Sequence, residues 1–533
     1  MSDVLSDTPS DVLIVGAGPT GLTLACDLAR RGITCRVVEA AERPATASRA
    51  KTIQPRALEI ADDLGVIDRV LRLGAVDVPT RRYDRERVLS EAAEVAVSTP
   101  AAGVPYPPVW LSQPQLESIL RDRLAELGGQ VEWGSAVSDL RQDAGSVTAT
   151  VRTAAGQREI RARYVVGCDG GRSFVRQRMG AVLEGTSYGE HRWYLGDVRI
   201  DGLDRHCQHL WTSPEAGILS LFPLPGTDIW QFQASVPADE EEPTTPTLEL
   251  FHRVFAERAG VPGVVIQDAG WRSLYKVNVC LVDRYRVGRV FLAGDAAHIH
   301  SPAGGQGMNT GIQDAYNLGW KLAAVLGGAD AALLDTYERE RRPVAQSVLD
   351  DSTSRLHAMM RAFGNGDGPT ALRGLTDDFT TGLTIAYPDS PLTHHHHSPT
   401  RPGGPRAGDR APDAPCVDAA TGRGIRLFDL QRGPHWTLLT FDHDHNHDHG
   451  HGAAGWDAPV PLRAYRVTDD PTATGPGTVI DTEGQAHRIY DMREDGLVLI
   501  RPDGYIATRV SADQGEAAVR HATTLAAHPG RSR

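Results

Sequence analysis

The sequence predicts an α/β fold in which two strand–glycine turn–helix units flank a segment rich in β-structure. An apolar run at 12–15 leads into a glycine-rich turn and then into a stretch with helical spacing that ends before Gly32. The same order recurs at 286–326, where a second apolar run precedes another glycine-rich loop. Between these units, residues 181–280 alternate aromatic or β-branched residues with polar ones, which is typical of a mostly antiparallel sheet with one solvated face.

The first glycine turn has the spacing G-x-G-x-x-G. Gly16 permits a tight turn, Gly18 lets a pyrophosphate approach the backbone, and Gly21 lets the helix pack closely on the strand. The N-terminus of this helix points free N–H groups at the phosphates. Glu39 follows the second strand, where a carboxylate accepts hydrogen bonds from a ribose and repels a 2′-phosphate. The pattern predicts a Rossmann-like site for FAD or NAD rather than NADP; an ordinary glycine-rich turn is the alternative.

The length, charge and cysteine content argue against a nucleic-acid-binding, membrane or secreted protein. A length of 533 residues suffices for two or three domains with their own cores. The formal net charge of −13 argues against binding to nucleic acid or to an anionic membrane surface. There is no long apolar run, the polar N-terminus is unlike a signal peptide, and the six cysteines show neither C-x-x-C nor zinc spacing. We therefore expect a reduced, cytoplasmic protein without a metal site.

Two more helices are predicted after the first unit. Residues 57–71 have helical spacing with a possible break at Gly65. Residues 111–129 form an amphipathic pattern, and Ser112 and Gln115 at its start have the spacing of a capping box.

Further candidates for phosphate and ligand contacts lie in the connecting segments. Arg49 and Arg56 lie in the loop after Glu39, and each either pairs with the pyrophosphate or is a solvated surface arginine. An apolar strand ends at Cys168, and the turn Asp169–Gly171 follows it at a position where ligands bind in α/β sheets. Taken alone, this turn is better interpreted as an ordinary surface turn.

The middle segment is rich in aromatic residues that are candidates for one wall of an apolar pocket. Four of the nine tryptophans fall here, and each fits a core position as well: Trp193, Trp211, Trp230 and Trp271. We expect Trp211, Phe222 and Trp230 to contact a substrate.

In the second unit, Gly294–Asp295 ends a buried strand and a glycine-rich loop leads into a helix at 308–326. This arrangement predicts an anion- or carbonyl-binding site.

Three other polar segments are not interpreted as binding sites. GDGPTA at 366–371 follows a helical stretch rather than a strand, so it is not interpreted as a second nucleotide site. HDHNHDHGH at 443–451 places five histidines at alternate positions; zinc or nickel binding is one interpretation, and a solvated loop insertion fits its surroundings better. Residues 355–415 are interpreted as containing a linker, with a domain boundary near 400.

With both glycine turns in view, the chain resembles the class A flavoprotein monooxygenases, the aromatic hydroxylases that use one FAD. The matching motifs cover residues 1–345 in order: GAGPTG at 16–21, Glu39, SRA at 48–50, Gln113, Cys168–Asp169–Gly170, and Gly294–Asp295 with the loop 302–309. GDRAPDAP and LIRPDGYIATR in the last part resemble the thioredoxin-like C-terminal domain of the phenol hydroxylase branch and of polyketide-tailoring hydroxylases. That part contains Cys416 as its only cysteine and no C-x-x-C, so a redox role is not expected for it.

The resemblance implies a fold of three domains. A Rossmann-like FAD-binding domain would comprise residues 1–78, 105–180 and 281–345. A substrate domain with a mostly antiparallel sheet would comprise 79–104, 181–280 and 346–398. A thioredoxin-like domain would comprise 399–533.

The resemblance also implies which residues hold FAD and where the substrate lies. Arg49, Gln113 and Asp295 would reach the phosphates and the ribityl chain, and the loop before the second helix would line the isoalloxazine. Pro302 would contact both flavin and substrate. The expected cofactor-binding residues are Gly16, Gly18, Pro19, Thr20, Gly21, Glu39, Arg49, Gln113, Asp169, Asp295, Pro302, Gly305, Gln306, Gly307, Met308 and Asn309.

The chemistry that the resemblance implies is hydroxylation of an aromatic substrate, phenolic or of the polycyclic polyketide type. NADPH or NADH would act as a transient reductant without a domain of its own, and molecular oxygen would react through a flavin 4a-hydroperoxide. A Baeyer–Villiger oxygenase and a non-oxygenating FAD-binding tailoring protein remain alternatives. The general base is not assigned: Tyr194, His209 and Tyr275 are available, and each fits a structural role. A homodimer is possible.

Overall fold

The computed structural model describes residues 10–93, 103–213, 216–236, 240, 244–300, 305–364, 377–395, 404–442, 458–492 and 495–527. Within these ranges, no helix is both long and apolar enough to cross a membrane. The histidine-rich segment at 443–451 and the sequence GDGPTA at 366–371 lie outside the described residues.

The strands are, in chain order, β1 (Ser10–Val15), β2 (Cys35–Val38), β3 (Thr52–Ile53), β4 (Pro79–Asp84), β5 (Arg87–Ala93), β6 (Val109–Trp110), β7 (Val131–Glu132), β8 (Ala136–Gln142), β9 (Val147–Thr153), β10 (Gly156–Gly167), β11 (Leu183–Asp201), β12 (Gln208–Ser213), β13 (Gly217–Pro223), β14 (Ile229–Ser235), β15 (Val265–Val282), β16 (Arg286–Val287), β17 (Val290–Leu292), β18 (His298–Ile299), β19 (Pro415–Asp418), β20 (Gly424–Arg426), β21 (Trp436–Asp442), β22 (Leu462–Thr468), β23 (Thr478–Ile480), β24 (Gly496–Ile500) and β25 (Ile506–Ser511). The α-helices are α1 (Pro19–Arg30), α2 (Pro55–Asp63), α3 (Ile67–Leu73), α4 (Gln113–Glu126), α5 (Phe174–Arg178), α6 (Leu248–Arg258), α7 (Gly307–Leu326), α8 (Asp335–Gly364), α9 (Leu427–Gln431), α10 (Gln485–Ile489) and α11 (Gly515–Thr523).

The first sheet has the parallel centre expected of a Rossmann-like unit. Its order is β16-β17-β10-β1-β2-β7, with β9 paired antiparallel to β10 and β8 paired to β9. The apolar residues 12–14 of β1 are fully buried, and α1 and α7 pack against each other beside the sheet. The helix expected from Leu22 begins at Pro19, because proline at the first helical position is preorganised and needs no N–H partner.

Two details of this region confirm the predictions from local sequence. The helix expected at 57–71 is divided into α2 and α3 around Gly65, whose φ of +75° lies in the left-handed region that favours glycine. At the start of α4, the Ser112 N–H donates to Oε1 of Gln115 at 3.3 Å, one of the two bonds of a capping box.

The second sheet is the antiparallel sheet predicted for the middle segment. Its order is β18-β15-β11-β14-β13-β12-β4-β5, and of these neighbours only β12 and β4 run parallel. Helix α6 covers one face, where the rings of Phe232 and Phe251 stack with their centroids 4.1 Å apart. The opposite face meets the first sheet's loops, and β18 joins the second sheet directly to the turn after β17.

The C-terminal part forms a third, mixed sheet of the order β20-β19-β23-β22-β21-β24-β25. Its centre, β21, β22 and β23, is parallel, and β24 and β25 continue it antiparallel. This arrangement agrees with the thioredoxin-like expectation and confirms the α/β class. Residues 355–364 complete α8, and the sequence GNGDG, where the expected linker starts, begins at its last residue, Gly364. Helix α8 also crosses the proposed boundary at 345/346, and the division into three domains stays a prediction.

Candidate cofactor site and family

The first glycine turn is closed on two sides and open on one. A Cβ on Gly16 would lie 2.3 Å from the carbonyl oxygen of Cys168, and a Cβ on Gly21 would lie 2.1 Å from that of Gly16. These two glycines therefore let β1, β10 and α1 approach one another. At Gly18 no described atom comes within 4 Å of the Cβ position, and α1 begins there without a side-chain cap. Free N–H groups at a helix N-terminus with open space in front of them form a site for a phosphate.

Thr20 brings the two glycine turns together. A Cβ added to Gly294 would lie 2.5 Å from Oγ1 of Thr20, and one added to Gly311 would lie 2.4 Å from the same atom. Gly294 belongs to the second turn and Gly311 to the first turns of α7. Because both lack a side chain, α1 and α7 can pack closely and their N-termini border one cleft.

Glu39 and the start of α4 form the side of this cleft near α1. The Glu39 carboxylate accepts hydrogen bonds from the N–H groups of Ala17 and Ala41, each at 2.9 Å, and still has lone pairs for a ribose. Gln113 donates from its backbone N–H to the carbonyl of Ala50 at 2.9 Å, which ties α4 to the loop that carries Arg49.

The charges across the cleft show that the predicted residues lie near one another. Burial raises the pKa of Glu117, Glu39 raises it further, and Gln113 and Arg49 lower it. The pKa of Asp295 is also raised by burial and is lowered by His298 and by Arg49. Asp295 as a whole residue nevertheless remains exposed to solvent. Arg49 therefore interacts with carboxylates of both α4 and the second glycine turn.

The N-terminus of α7 is the second uncapped helix end in the cleft. No described side chain caps it at Gln306, and Nε2 of this buried glutamine lacks a hydrogen-bond partner in the described part of the chain. Asn309 fixes the preceding loop, because it accepts from the N–H of Gln54 at 2.9 Å and donates to the carbonyls of Thr52 and Gly305 at 3.0 and 2.8 Å. The Asn309 side chain thus positions the loop. Gly307 and Met308 are half-buried at the helix start, and Pro302 lies outside the described residues.

The Asp169 carboxylate holds the start of α5 in place, and its expected contact with the cofactor stays a prediction. Its carboxylate accepts from the hydroxyl of Ser173 at 2.5 Å and from the N–H of Val175 at 3.1 Å, so it serves the start of α5. Burial raises its pKa, and these hydrogen bonds lower it. Gly170 in this turn has φ +77°, and the Asp169 carboxylate, like that of Glu39, still has lone pairs for a ligand.

The structure corrects the choice of tryptophans for the pocket wall. Trp211 and Trp230 are 2% and 0% exposed and belong to the core between the second sheet and α6, where Trp211 meets Phe255 at a centroid distance of 5.9 Å. Tyr194 and His209, two candidates for a general base, are fully buried in the same layer. Strand residues alternate between faces, so the neighbouring positions point toward the flavin-side loops.

The face of the second sheet opposite α6 carries other aromatic residues. Trp193 and Tyr275 are paired across β11 and β15, and both are half-buried. The Tyr275 hydroxyl donates to the carbonyl of His300 at 3.1 Å, which joins this face to the segment after the second glycine turn. Phe222 lies on the same side, with the Lys51 ammonium 3.5 Å from its ring centroid and Trp110 in ring contact.

A buried relay of side chains beneath the second glycine turn was not predicted from sequence. His300 Nε2 and His298 Nδ1 are hydrogen-bonded at 2.6 Å, and His298 Nε2 and Asp314 Oδ2 are also 2.6 Å apart. Asp314 further accepts from Arg341 at 2.7 Å and from the N–H of Gly294 at 3.1 Å. His298 and Arg341 lower the pKa of Asp314 to about 2 against the effect of burial, so Asp314 is an anion that fixes both the turn and the His298 ring.

A second buried network joins the third sheet to α7 and α8. Glu340 accepts from Arg501 at 2.7 and 2.9 Å and from Lys321 at 2.6 Å. Asp503 accepts from Arg501 at 2.5 Å and from the indole N–H of Trp320 at 3.0 Å. Asp314, Asn317 and Lys321 recur at helical spacing in a helix that is buried on most sides, and this is the sequence signal that indicates such buried polar contacts.

These observations fit FAD. The open approach at Gly18 suits a pyrophosphate, Glu39 suits a ribose, and the uncapped start of α7 with the orphaned Gln306 amide suits a polar ring edge. Two helix N-termini bordering one cleft, with a half-buried aromatic face beside it, define a dinucleotide-binding oxidoreductase of the flavoprotein class.

Comparison with known proteins agrees with this class. The FAD binding domain family matches residues 9–352, and the family of the aromatic-ring hydroxylase C-terminal domain matches residues 404–529. A flavin-dependent monooxygenase of Mycobacteroides abscessus is 42% identical over 504 residues, covering 93% of this chain and 96% of the relative. The 6-methylpretetramide 4-monooxygenase of Streptomyces rimosus is 35% identical over 528 residues, covering 93% of this chain and 90% of the relative. The structure of aklavinone-11 hydroxylase with FAD and aklavinone superposes with a TM-score of 0.80 at 29% identity, covering 97% of this chain and 99% of that one.

The chain therefore belongs to the family of FAD-dependent aromatic-ring monooxygenases. It is a flavoprotein enzyme with FAD as its cofactor, as the sequence predicted.

Proposed function

We propose that this enzyme uses NADPH or NADH and molecular oxygen to hydroxylate a phenolic or polycyclic aromatic substrate. One observation carries the proposal: the half-buried aromatic face of the second sheet lies directly beside the second glycine turn. Tyr275 reaches the carbonyl of His300 at 3.1 Å, and Trp193 is its cross-strand neighbour. A planar aromatic ligand between this face and the start of α7 would bury apolar surface close to the cofactor. The names of 6-methylpretetramide 4-monooxygenase and aklavinone-11 hydroxylase support polycyclic substrates.

The chain's own residues would bind and orient FAD and the substrate, and would exclude water from the site. The N–H groups from Gly18 onward would hold the pyrophosphate, with Arg49 supplying positive charge and Glu39 accepting from the ribose. The N–H groups at Gly307 and Met308 would face the flavin pyrimidine edge, where the helix dipole favours negative charge. When bound, FAD supplies the redox chemistry: two electrons from NAD(P)H, with one oxygen atom going to the ring and the other to water.

Two titratable groups near the second turn are uncharged at physiological pH. Tyr275 is held by the His300 carbonyl, and burial raises its pKa to about 12, so it stays a neutral donor at physiological pH. His300 is also neutral, because burial and His298 lower its pKa far below the usual value. Neither group places a fixed charge beside the aromatic face.

The test is a product analysis under ¹⁸O₂ with FAD-loaded protein, NADPH or NADH, and three probes: phenol, 6-methylpretetramide and aklavinone. One labelled oxygen on an intact ring system would support hydroxylation. A lactone or ring-opened product would move the function to Baeyer–Villiger chemistry, and NAD(P)H consumption without any labelled product from any probe would contradict this substrate class. The Gly18→Ala variant, which we expect to bind FAD about 10- to 100-fold more weakly, is the matched control for flavin-dependent turnover at limiting FAD.

A further inference from the structure

The loop that carries Arg49 is held by the second sheet. Asp197 on β11 and Gln231 on β14 are directly opposite each other, and paired residues point to the same face. This is the face away from α6. Both side chains are buried, at 4% and 0% exposure, although neither belongs to an apolar core.

The two side chains bind both backbone polar groups of Ser48. Asp197 Oδ2 accepts from the Ser48 N–H at 2.8 Å, and the Gln231 amide donates to the Ser48 carbonyl. Lys51, three residues further along the same loop, donates to Oε1 of Gln231 at 3.0 Å. Ser48 is consequently buried, while the next residue, Arg49, is exposed and lies close enough to Asp295 to lower the pKa of that carboxyl.

The burial of Asp197 lowers the stability of the fold. Oδ1 of Asp197 is buried without a hydrogen-bond partner among the described residues, and a buried carboxylate with an unpaired oxygen destabilises a fold. Burial raises the pKa of Asp197 to about 6, and the Ser48 N–H opposes this rise. The carboxylate of Asp197 accepts its hydrogen bond from Ser48, the residue before Arg49. Asp197 is therefore suited to a positioning role.

We propose that Asp197 and Gln231 are positioning residues that hold Ser48 so that Arg49 reaches the FAD phosphates. The proposal rests on the phosphate role of Arg49 within the proposed function. If so, the affinity for FAD depends on the second sheet. The face of that sheet away from α6, which carries Asp197 and Gln231, is also the face that would receive the substrate.

The experiment is a titration of FAD-free full-length protein with FAD, followed by flavin fluorescence, without NAD(P)H, oxygen chemistry or substrate. Arg49→Ala should raise Kd about 10- to 100-fold, because a hydrogen bond to a charged group contributes about 1.5–3 kcal/mol. Asp197→Ala should raise Kd about tenfold, and Asp197→Asn should restore it to within about threefold, because an amide oxygen accepts the same N–H at a cost of only a few tenths of a kcal/mol. The double variant Asp197→Ala/Arg49→Ala should bind no more weakly than Arg49→Ala alone.

Asp413→Ala is the matched control. Asp413 is likewise a buried acid with a pKa raised to about 6 by burial, and it accepts the N–H of Phe428 at 3.0 Å in the C-terminal part. Its replacement should leave the FAD Kd unchanged.

Three results would overturn the proposal. The first is an unchanged Kd for FAD in Asp197→Ala, and the second is an equal rise in Kd in Asp197→Asn and Asp197→Ala. The third is a Kd in the double variant that is raised by the product of the two single-variant factors. If Asp197→Ala does not fold by circular dichroism, Gln231→Leu removes the other contact to Ser48 and must raise Kd in the same non-additive way. Because this titration needs no turnover, a failed labelled-oxygen experiment would refute the proposed function and leave the positioning result intact.

Discussion

Gly18→Ala separates cofactor binding from folding. The Gly18 backbone has φ −75° and ψ −177°, which any residue adopts, and no described atom lies within 4 Å of the new methyl group. We therefore expect the free energy of unfolding of the apoprotein to change by less than about 1 kcal/mol. The methyl group would occupy the space in front of the N–H groups of α1. Losing one hydrogen bond to a phosphate would weaken FAD binding by about 1.5–3 kcal/mol, or about 10- to 100-fold in Kd.

Gly21→Ala should affect stability more than FAD affinity, the reverse of Gly18→Ala. Its methyl group would lie 2.1 Å from the carbonyl oxygen of Gly16, so the backbone must move, and overpacking of this kind costs about 1–3 kcal/mol. Urea unfolding of the apoproteins and FAD titration of the folded fraction measure the two effects. Gly424→Ala, an exposed strand position with no described neighbour within 4 Å, is the control for both. Unaltered FAD affinity in Gly18→Ala would refute the assignment of the phosphate site.

Two buried networks give further predictions. Glu340→Gln leaves Arg501 and Lys321 without their shared anion and should destabilise the protein by about 3–5 kcal/mol in urea unfolding. The loss should be smaller at pH 9 than at pH 6, because burial lowers the Lys321 pKa to about 8 and the lysine sheds its charge above that pH; equal losses would contradict this account. Asp314 has a folded pKa of about 2, below its usual 3.8, so its ionised form stabilises the fold above pH 4 by about 2 kcal/mol. The stability difference between wild type and Asp314→Asn should therefore shrink as pH falls from 4 to 2, and a constant difference over that range would count against it.

The sequence predicted the elements whose signals are local. The apolar run of β1, the three glycines and Glu39 each follow from the conformational needs of a strand–turn–helix unit, and the structure places them around one cleft. The break at Gly65 follows from the same kind of local signal.

The errors arose where the outcome depends on which face of an element is covered. Trp211 and Trp193 both lie in strands of the same sheet, but α6, more than thirty residues away, covers the face of one and not the other. Asp314 and Glu340 acquire partners from other elements, so their pairing is a property of tertiary packing that one sequence does not reveal.

The central claim is that the two glycine turns form a single FAD site, and a crystal structure of the FAD-loaded protein tests it most directly. The account predicts the pyrophosphate against the N–H groups that begin at Gly18, the ribose at Glu39, and the flavin pyrimidine edge at the start of α7 beside Gly307. FAD bound with its phosphates elsewhere, or with its ring away from α7, would contradict the claim.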